Sequence, residues 1–481
     1  MGALQAVWSR RLLRGRQGVT DRPDVIWFRF TMEVKMGDKT TGLIPGQIDR
    51  RNFLRAGSAA MLGAAFLPGL MSSTAQAAFA GKLSMLGWDF QPDTIKSLIS
   101  GWTAKGNPAV DVAIIPNLGY SAAIQTRLRG GDKLDLYYNF AYNSQKFVDQ
   151  GWASKLNGLP DVDKLLGDMF ESARARHVNA AGDIISVPYF SAVHMLHYNA
   201  KMLQDAGITT VPSTLKEIYD ASKKLQAGGL ASPYLAYWVK EFCEEYLHTY
   251  LLNEGITAFD ESGAAVFADD PKTEGVFAWW QQMYQEGLAP KSALTDDPGK
   301  ESTLMAQGQA AFFVLHHYFL TSIRSIGGPQ SANVKSAPIG GSNFTLQIGE
   351  VLQMGNISDA DEKNAAWDLM KYYGWKDTDG KFTVFNQWAK AAGLAAPYPG
   401  FFTDPDVIKA FPDYYDLPQI SKIFATGSKV VPARTLPWYP DFQAKVGDII
   451  HALLLGQATP KKTVDDLTAA AKDAASNKTT L

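Results

Sequence analysis

The residues in this chain that could carry chemistry by type and spacing fall into a few groups. His194 and His197 stand three apart, a spacing that metal ligands can use. Their flanks, Ser-Ala-Val and Met-Leu, read as an extended buried segment, where positions three apart face opposite sides. The further ligands of a tetrahedral site are missing from that context. His316 and His317 are adjacent and diverge in a strand in the same way. Asp377-Thr378-Asp379-Gly380 opens like a calcium loop, but Phe382 follows five residues after Asp377 and no Glu closes it; it reads as a turn. Cys243 is the only cysteine, which excludes an internal disulfide framework and a paired-cysteine metal site. No nucleophile elbow, phosphate-cradling glycine loop or His-Glu-x-x-His motif occurs. These absences make an enzyme less expected without excluding one, and no cofactor and no metal are expected.

The elements that would position any site come next. The chain has 481 residues, 46% apolar and 20% charged, with net charge −2. These values fit a globular chain of several domains and lack the basic stripe of a nucleic-acid protein. Arg50-Arg51-Asn52-Phe53-Leu54 precedes an uncharged stretch from Ala56 that ends in Ala75-Gln76-Ala77. Charged start, apolar middle and small-residue end predict a secretory signal over residues 1–77. The arginine pair makes it similar to a twin-arginine signal, so the expected location is the periplasm. Residues before Asp49 show no cap and no alternation; the expectation is a spurious upstream extension, with translation starting at Met36 or Met32. Without residues 1–77 the net charge is −8, which disfavours nucleic acid and anionic membranes as partners.

In the remainder, Lys82–Trp88 predicts a buried strand, Asp93–Ala104 a helix, and Val110–Ile115 and Leu134–Tyr138 two more strands, the βαβ pattern of an α/β sheet. Thr214 and Glu217 predict a capping box opening a helix that Gly228-Gly229 ends. Thr463-Val464-Asp465-Asp466 predicts another helix start, and Asp441–Leu455 a helix from its apolar spacing. Short strands are expected near Ala264–Ala268 and Ala310–Leu315.

Several blocks, in order, resemble one family. They are Trp88-Asp89 after the first strand; Asp135-Leu136-Tyr137-Tyr138 with Gln150-Gly151-Trp152; Ile185-Ser186-Val187-Pro188-Tyr189 leading to His197-Tyr198-Asn199 and Pro212-Ser213-Thr214; Met305 to Phe312; Gly393 to Ala396; and Trp438 before a helix. Over roughly residues 82–473 the chain resembles the family 1 extracellular solute-binding proteins of ABC importers, the maltose-binding-protein-like group. The resemblance implies the type II periplasmic binding protein fold, with two α/β lobes joined by a multi-segment hinge. Lobe 1 would hold residues 79–190 and 346–397, and lobe 2 residues 196–345 and 403–481. The chain would cross near Phe190–Leu196, Gln347–Val351 and Pro397–Phe402. It also implies a monomer that is not an enzyme and carries a small-molecule solute, a mono- or oligosaccharide, to the permease subunits of a membrane importer.

A pyranose presents flat C–H faces and a rim of hydroxyls. Aromatic rings bury the faces, and polar or charged side chains pair the hydroxyls. By position in the family blocks, the expected solute contacts are Trp88, Asp89, Asn139, Tyr142, Phe190, Tyr234, Tyr237, Trp238, His317, Tyr318, Glu350, Trp388 and Trp438. His316-His317-Tyr318 stands where the family usually has Gly-Pro-Trp, so the contact there is expected to differ. The same fold could instead take a polyamine, phosphodiester or opine. Two further readings compete: a secreted hydrolase or lyase acting on polysaccharide, and a periplasmic scaffold without a small ligand.

Overall fold

A computed structural model describes residues 79–340 and 344–476. The export-signal reading of residues 1–77 lies outside them, as do three internal and five C-terminal residues of the expected second lobe.

Lys82–Trp88 (β1) is buried from Met85 to Trp88 without alternation, as an apolar run covered on both faces requires. It pairs in parallel with Ala109–Ile115 (β2) on one side and Leu136–Asn139 (β3) on the other. The crossover helix Pro92–Ala104 turns Ile95, Leu98, Ile99 and Trp102 inward, the stripe its spacing predicts. Val187–Pro188 (β4) joins the same sheet.

Ala192–Asn199 (β5) then begins a second sheet with Tyr234–Leu235 (β6), Phe312–His316 (β7), Val334–Ala337 (β8) and Thr345–Ile348 (β9). Val351–Met354 (β10) returns to the first sheet, antiparallel to β3 and β4, and Ser428–Lys429 (β11) joins the second beside β9. The strand orders are β2-β1-β3-β10-β4 and β11-β9-β5-β7-β6, with β8 also on β5. The chain passes between sheets at Tyr189–Ser191 and again at Gly349–Glu350. These passages touch: the Tyr189 amide donates to the Glu350 carbonyl at 2.8 Å. A Cβ on Gly349 would stand 2.3 Å from the Phe190 carbonyl oxygen, so only glycine lets them approach this closely.

The helix Leu215–Ala227 carries the expected capping box, Thr214 with Glu217. Two expectations are corrected. Ala264–Ala268 is not a strand: it makes one bridge, Phe259 to Ala265, and enters a short 3₁₀ turn at Phe267–Asp269. The Asp260 carboxylate accepts from the amides of Ser262 and Ala264, and this local turn chemistry wins over the apolar run. The last helix starts at Pro460, ahead of Thr463. Thr459 accepts from the Lys462 amide at 3.2 Å, while the Thr463 hydroxyl donates back to the Thr459 carbonyl at 3.0 Å, inside the first turn. Asp377 does form a turn: one carboxylate oxygen accepts from the amides of Asp379 and Lys381, and the other from Lys105. No helix among the described residues is long and apolar enough to cross a membrane.

Candidate functional site: a cleft between the two sheets

Loops that leave the carboxyl ends of strands in α/β sheets gather at a crevice. Here they enclose a cavity of about 490 Å³. From the first sheet come Trp88, Asp89 and Phe90 after β1, Pro116 to Leu118 after β2, Phe140 after β3, and Tyr189 and Phe190 after β4. From the second come Tyr237 after β6, and Tyr318 and Phe319 after β7. Phe242, Ser322, Leu394 and the start of the helix Pro298–Gln307 complete the wall, and Glu350 reaches in from the crossing between β9 and β10.

The first-sheet wall is a stack of rings. Trp88 lies on Phe140 at 5.4 Å between centroids and 21° between planes, with Tyr189 edge-on at 5.5 Å. Behind it, Tyr138 stacks on Tyr189 at 4.1 Å, and its hydroxyl meets that of Tyr373. Trp88 is only 3% exposed; most of its surface is core and a small part is wall. Across the cavity Phe90 and Phe190 each stand 5.8 Å from Tyr318. Gln91, between Phe90 and the Pro92 helix, has φ of 52°, a left-handed conformation that costs a non-glycine residue energy. The Asp89 carboxylate accepts from the Asn117 amide at 2.9 Å and ties the first two loops together.

Behind the second-sheet wall the groups are charged. A neighbouring recess of about 100 Å³ is lined by Tyr142, Glu241, Glu244, Glu245 and Gln443, among others. Glu244 takes Arg434 at 3.0 and 3.1 Å, His248 at 3.1 Å, and the Tyr439 hydroxyl. Burial alone would raise its carboxyl, but Arg434 and these donors hold it down at about 2. Glu245 meets His316 at 3.0 Å and lies 3.8 Å from Arg434. Glu350 accepts from the Ala141 amide at 2.8 Å. Burial, helped by the charge of Glu245, pushes the Glu350 carboxyl up to about 8. At neutral pH it therefore carries a proton and can donate a hydrogen bond into the cavity. Among the described residues, no Lys or Arg lines the cavity.

Of the thirteen residues expected to touch solute, the structure brings six together around the main cavity: Trp88, Asp89, Phe190, Tyr237, Tyr318 and Glu350. Tyr142 lines the recess, with Arg434 5.9 Å from its ring centre. The other six lie elsewhere. Asn139 is buried in β3 and donates to Gln353. Tyr234 is buried with its hydroxyl on that of Tyr250. Trp238 packs on Trp280 at 5.9 Å, and His317 is buried with Val193. Trp388 sits behind Phe90 and Tyr189. Trp438 packs on Phe259 at 6.0 Å. Reasoning from sequence missed Phe90, Asn117, Phe140, Phe242, Asp297 and Phe319. Their signal is positional: most follow directly on a strand end or cap a helix beside one. A groove of about 530 Å³ near Trp102, Tyr372 and Trp375 is lined by lysines and aspartates, several paired with one another, and by no residue of the second sheet.

Two sheets flanked by helices, joined by touching crossings and enclosing a ring-walled cleft, define a two-lobed periplasmic binding protein. The family profile for bacterial extracellular solute-binding proteins matches residues 91–374, and the chain belongs to that family. Its backbone is similar to the maltose-bound MalE3 of T. maritima (TM-score 0.71, 19% identity, covering 82% of this chain and 100% of that one). It is also similar to the GacH receptor of Streptomyces glaucescens, solved with acarbose (TM-score 0.69, 18% identity, 82% and 98%). A third neighbour is an ABC transporter solute-binding protein of Agrobacterium radiobacter K84 in complex with ribitol (TM-score 0.69, 19% identity, 82% and 98%). Among curated proteins, a binding protein of Brucella abortus is 20% identical over 238 residues, 49% of this chain. That match spans 57% of the relative's own length.

Proposed function

We propose that this chain is the binding component of an ABC importer, that it holds a carbohydrate between its two lobes, and that it hands the solute to a membrane permease without chemical change. The observation that carries this reading is the cleft itself: ring faces on both walls and a few hydrogen-bonding groups. Rings from both sheets cover the flat faces of a sugar. Asp89 accepts from hydroxyls, protonated Glu350 donates, and Tyr237 and Tyr318 do either. Trp88 and Phe190 complete the contacts. The lobes are built on the two sheets, so residues 192–195 and 346–348 go with the second lobe and not with the first crossing or the first lobe. The passages at Tyr189–Ser191 and Gly349–Glu350 act as hinge, and solute favours the closed arrangement by its differential affinity. Neighbours solved with maltose, acarbose and ribitol support a polyhydroxylated guest. The protein works in the periplasm as a monomer, and the twin-arginine pair supports export in folded form.

Thermal unfolding against a panel of neutral sugars and polyols tests this. A solute at 100 times its dissociation constant adds about 2.7 kcal/mol. A clear upward shift with one sugar class is expected. A flat response to every sugar, with a shift from a polyamine or phosphodiester, would reject the carbohydrate part. Turnover of a labelled glycan would reject the non-catalytic part.

A further inference from the structure

We propose that His194, Glu245 and His316 form a divalent-metal site of the zinc type in the wall of the second sheet. The three come from β5, from β7 and from the helix Cys243–Asn253, and all are buried. Among the described residues they are the one group of three such side chains whose ligand atoms lie together, with no two farther apart than 4.8 Å. His316 Nε2 is 3.0 Å from Glu245 Oε2, and His194 Nε2 is 4.0 Å from the same oxygen. A point equidistant from three atoms so spaced lies at most about 2.4 Å from each, while zinc sits 2.0–2.2 Å from imidazole nitrogen or carboxylate oxygen. Shifts of a few tenths of an ångström close that gap.

The hydrogen-bond pattern points the same way. His194 Nδ1 lies 3.0 Å from Thr249 Oγ1. Metal-bound imidazoles are oriented by such an outer contact on the second nitrogen. His194 Nε2 has no hydrogen-bond partner although the ring is completely buried. A buried nitrogen facing a carboxylate at 4.0 Å, too far for a hydrogen bond, is an unfilled interaction. Arg434 is engaged by Glu244 through two short contacts and stands 3.8 Å from the other oxygen of Glu245. Glu245 Oε2 is thus left clear of Arg434, and its hydrogen-bond partner is His316 Nε2, itself one of the three proposed ligands. Glu245 also lines the 100 Å³ recess, which offers room for a fourth ligand such as water and a route of entry. His316 stacks on Tyr318 at 5.3 Å and 23°, so an ion here would fix the orientation of a ring that lines the solute cavity. The sequence pattern pairs His194 with His197 and His316 with His317; the pair proposed here, His194 with His316, is 122 positions apart. His197 turns to Ser336 and to the His316 carbonyl.

The test uses the untagged chain, stripped with chelator and titrated with zinc chloride by calorimetry. One ion per chain is expected. His194→Gln and His316→Gln should each weaken binding at least tenfold, and His451→Gln, outside the cluster, should leave it unchanged. Because either buried substitution can impair folding, the wild-type chain is also loaded with Co²⁺. Intense visible absorption from a low-symmetry four-coordinate ion is expected. No retained zinc, equal zinc affinity in both cluster variants, or the pale spectrum of the hydrated Co²⁺ ion would each overturn the proposal. None of these readings depends on which solute the cleft takes.

Discussion

The two walls of the cleft are built from opposite materials. The first-sheet wall is backed by Tyr138, Tyr189 and Tyr373, neutral rings stacked on one another. The second-sheet wall is backed by Glu244, Glu245, Arg434, His194, His248 and His316. A ring wall draws stability from area removed from water and tolerates the loss of one hydroxyl. A charged wall holds only while every member keeps its counter-charge, because an unpaired buried ion costs several kcal/mol. The first wall is therefore a rigid platform, and the second is set by protons and ions.

The largest effect that would sharpen this contrast is on the second wall. Arg434→Met strands Glu244 and should cost about 3–5 kcal/mol in denaturant unfolding. The matching probe of the first wall, Tyr373→Phe, removes one hydroxyl contact and should cost about 0.5–1.5 kcal/mol. Equal losses would erase the distinction.

The walls should also part in their pH response. Glu350 keeps its proton up to about pH 8 when folded, against an ordinary value of 4.5. Between these values the unfolded chain binds fewer protons than the folded one. Stability therefore falls as pH rises from about 4.5 to about 8, by about 1.4 kcal/mol per unit for this group, and then levels off. Glu301, buried and raised to about 9, adds a slope of the same sign. Glu244, held at about 2, acts oppositely: its contribution is lost as pH falls from 4.5 through 2. Glu350→Gln should make the profile shallower between pH 5 and 8, leaving the slope that Glu301 contributes; an unchanged slope would show that Glu350 is ionised in the fold.

Smaller effects are expected at the rim. Tyr318→Phe removes one hydroxyl from the cavity and should weaken solute binding by about 1 kcal/mol, roughly fivefold. Leu118, 67% exposed on the loop after β2, should tolerate Ser within about 0.5 kcal/mol of unfolding free energy; a larger loss would mean that the loop is braced by the opposite wall.

The contrast also separates what the sequence made legible from what it hid. β1 and the Thr214 helix could be read directly, because an unbroken apolar run and a capping box are local signals. The two-residue strands β4, β6 and β11 could not, since they exist only through pairing with distant partners. Trp88, Phe190, Tyr318 and Glu350, which the family resemblance puts at strand ends and crossings, line the cavity. Phe90 and Phe140 look like any core phenylalanine until the loops are brought together. Trp238 and Trp388, aromatic and near the same segments, turn inward and pack on Trp280 and Tyr189. The charged wall left no trace, because Glu244 and Arg434 are 190 positions apart and their pairing is purely tertiary.

The central claim is that solute sits against the ring wall, between the sheets. Its most direct test is calorimetric titration of the sugar giving the largest thermal shift into the wild-type chain and into Trp88→Leu. One solute per chain and at least tenfold weaker binding to the variant are predicted. Equal affinity in the two proteins, with the variant folded, would place the solute elsewhere and contradict the account.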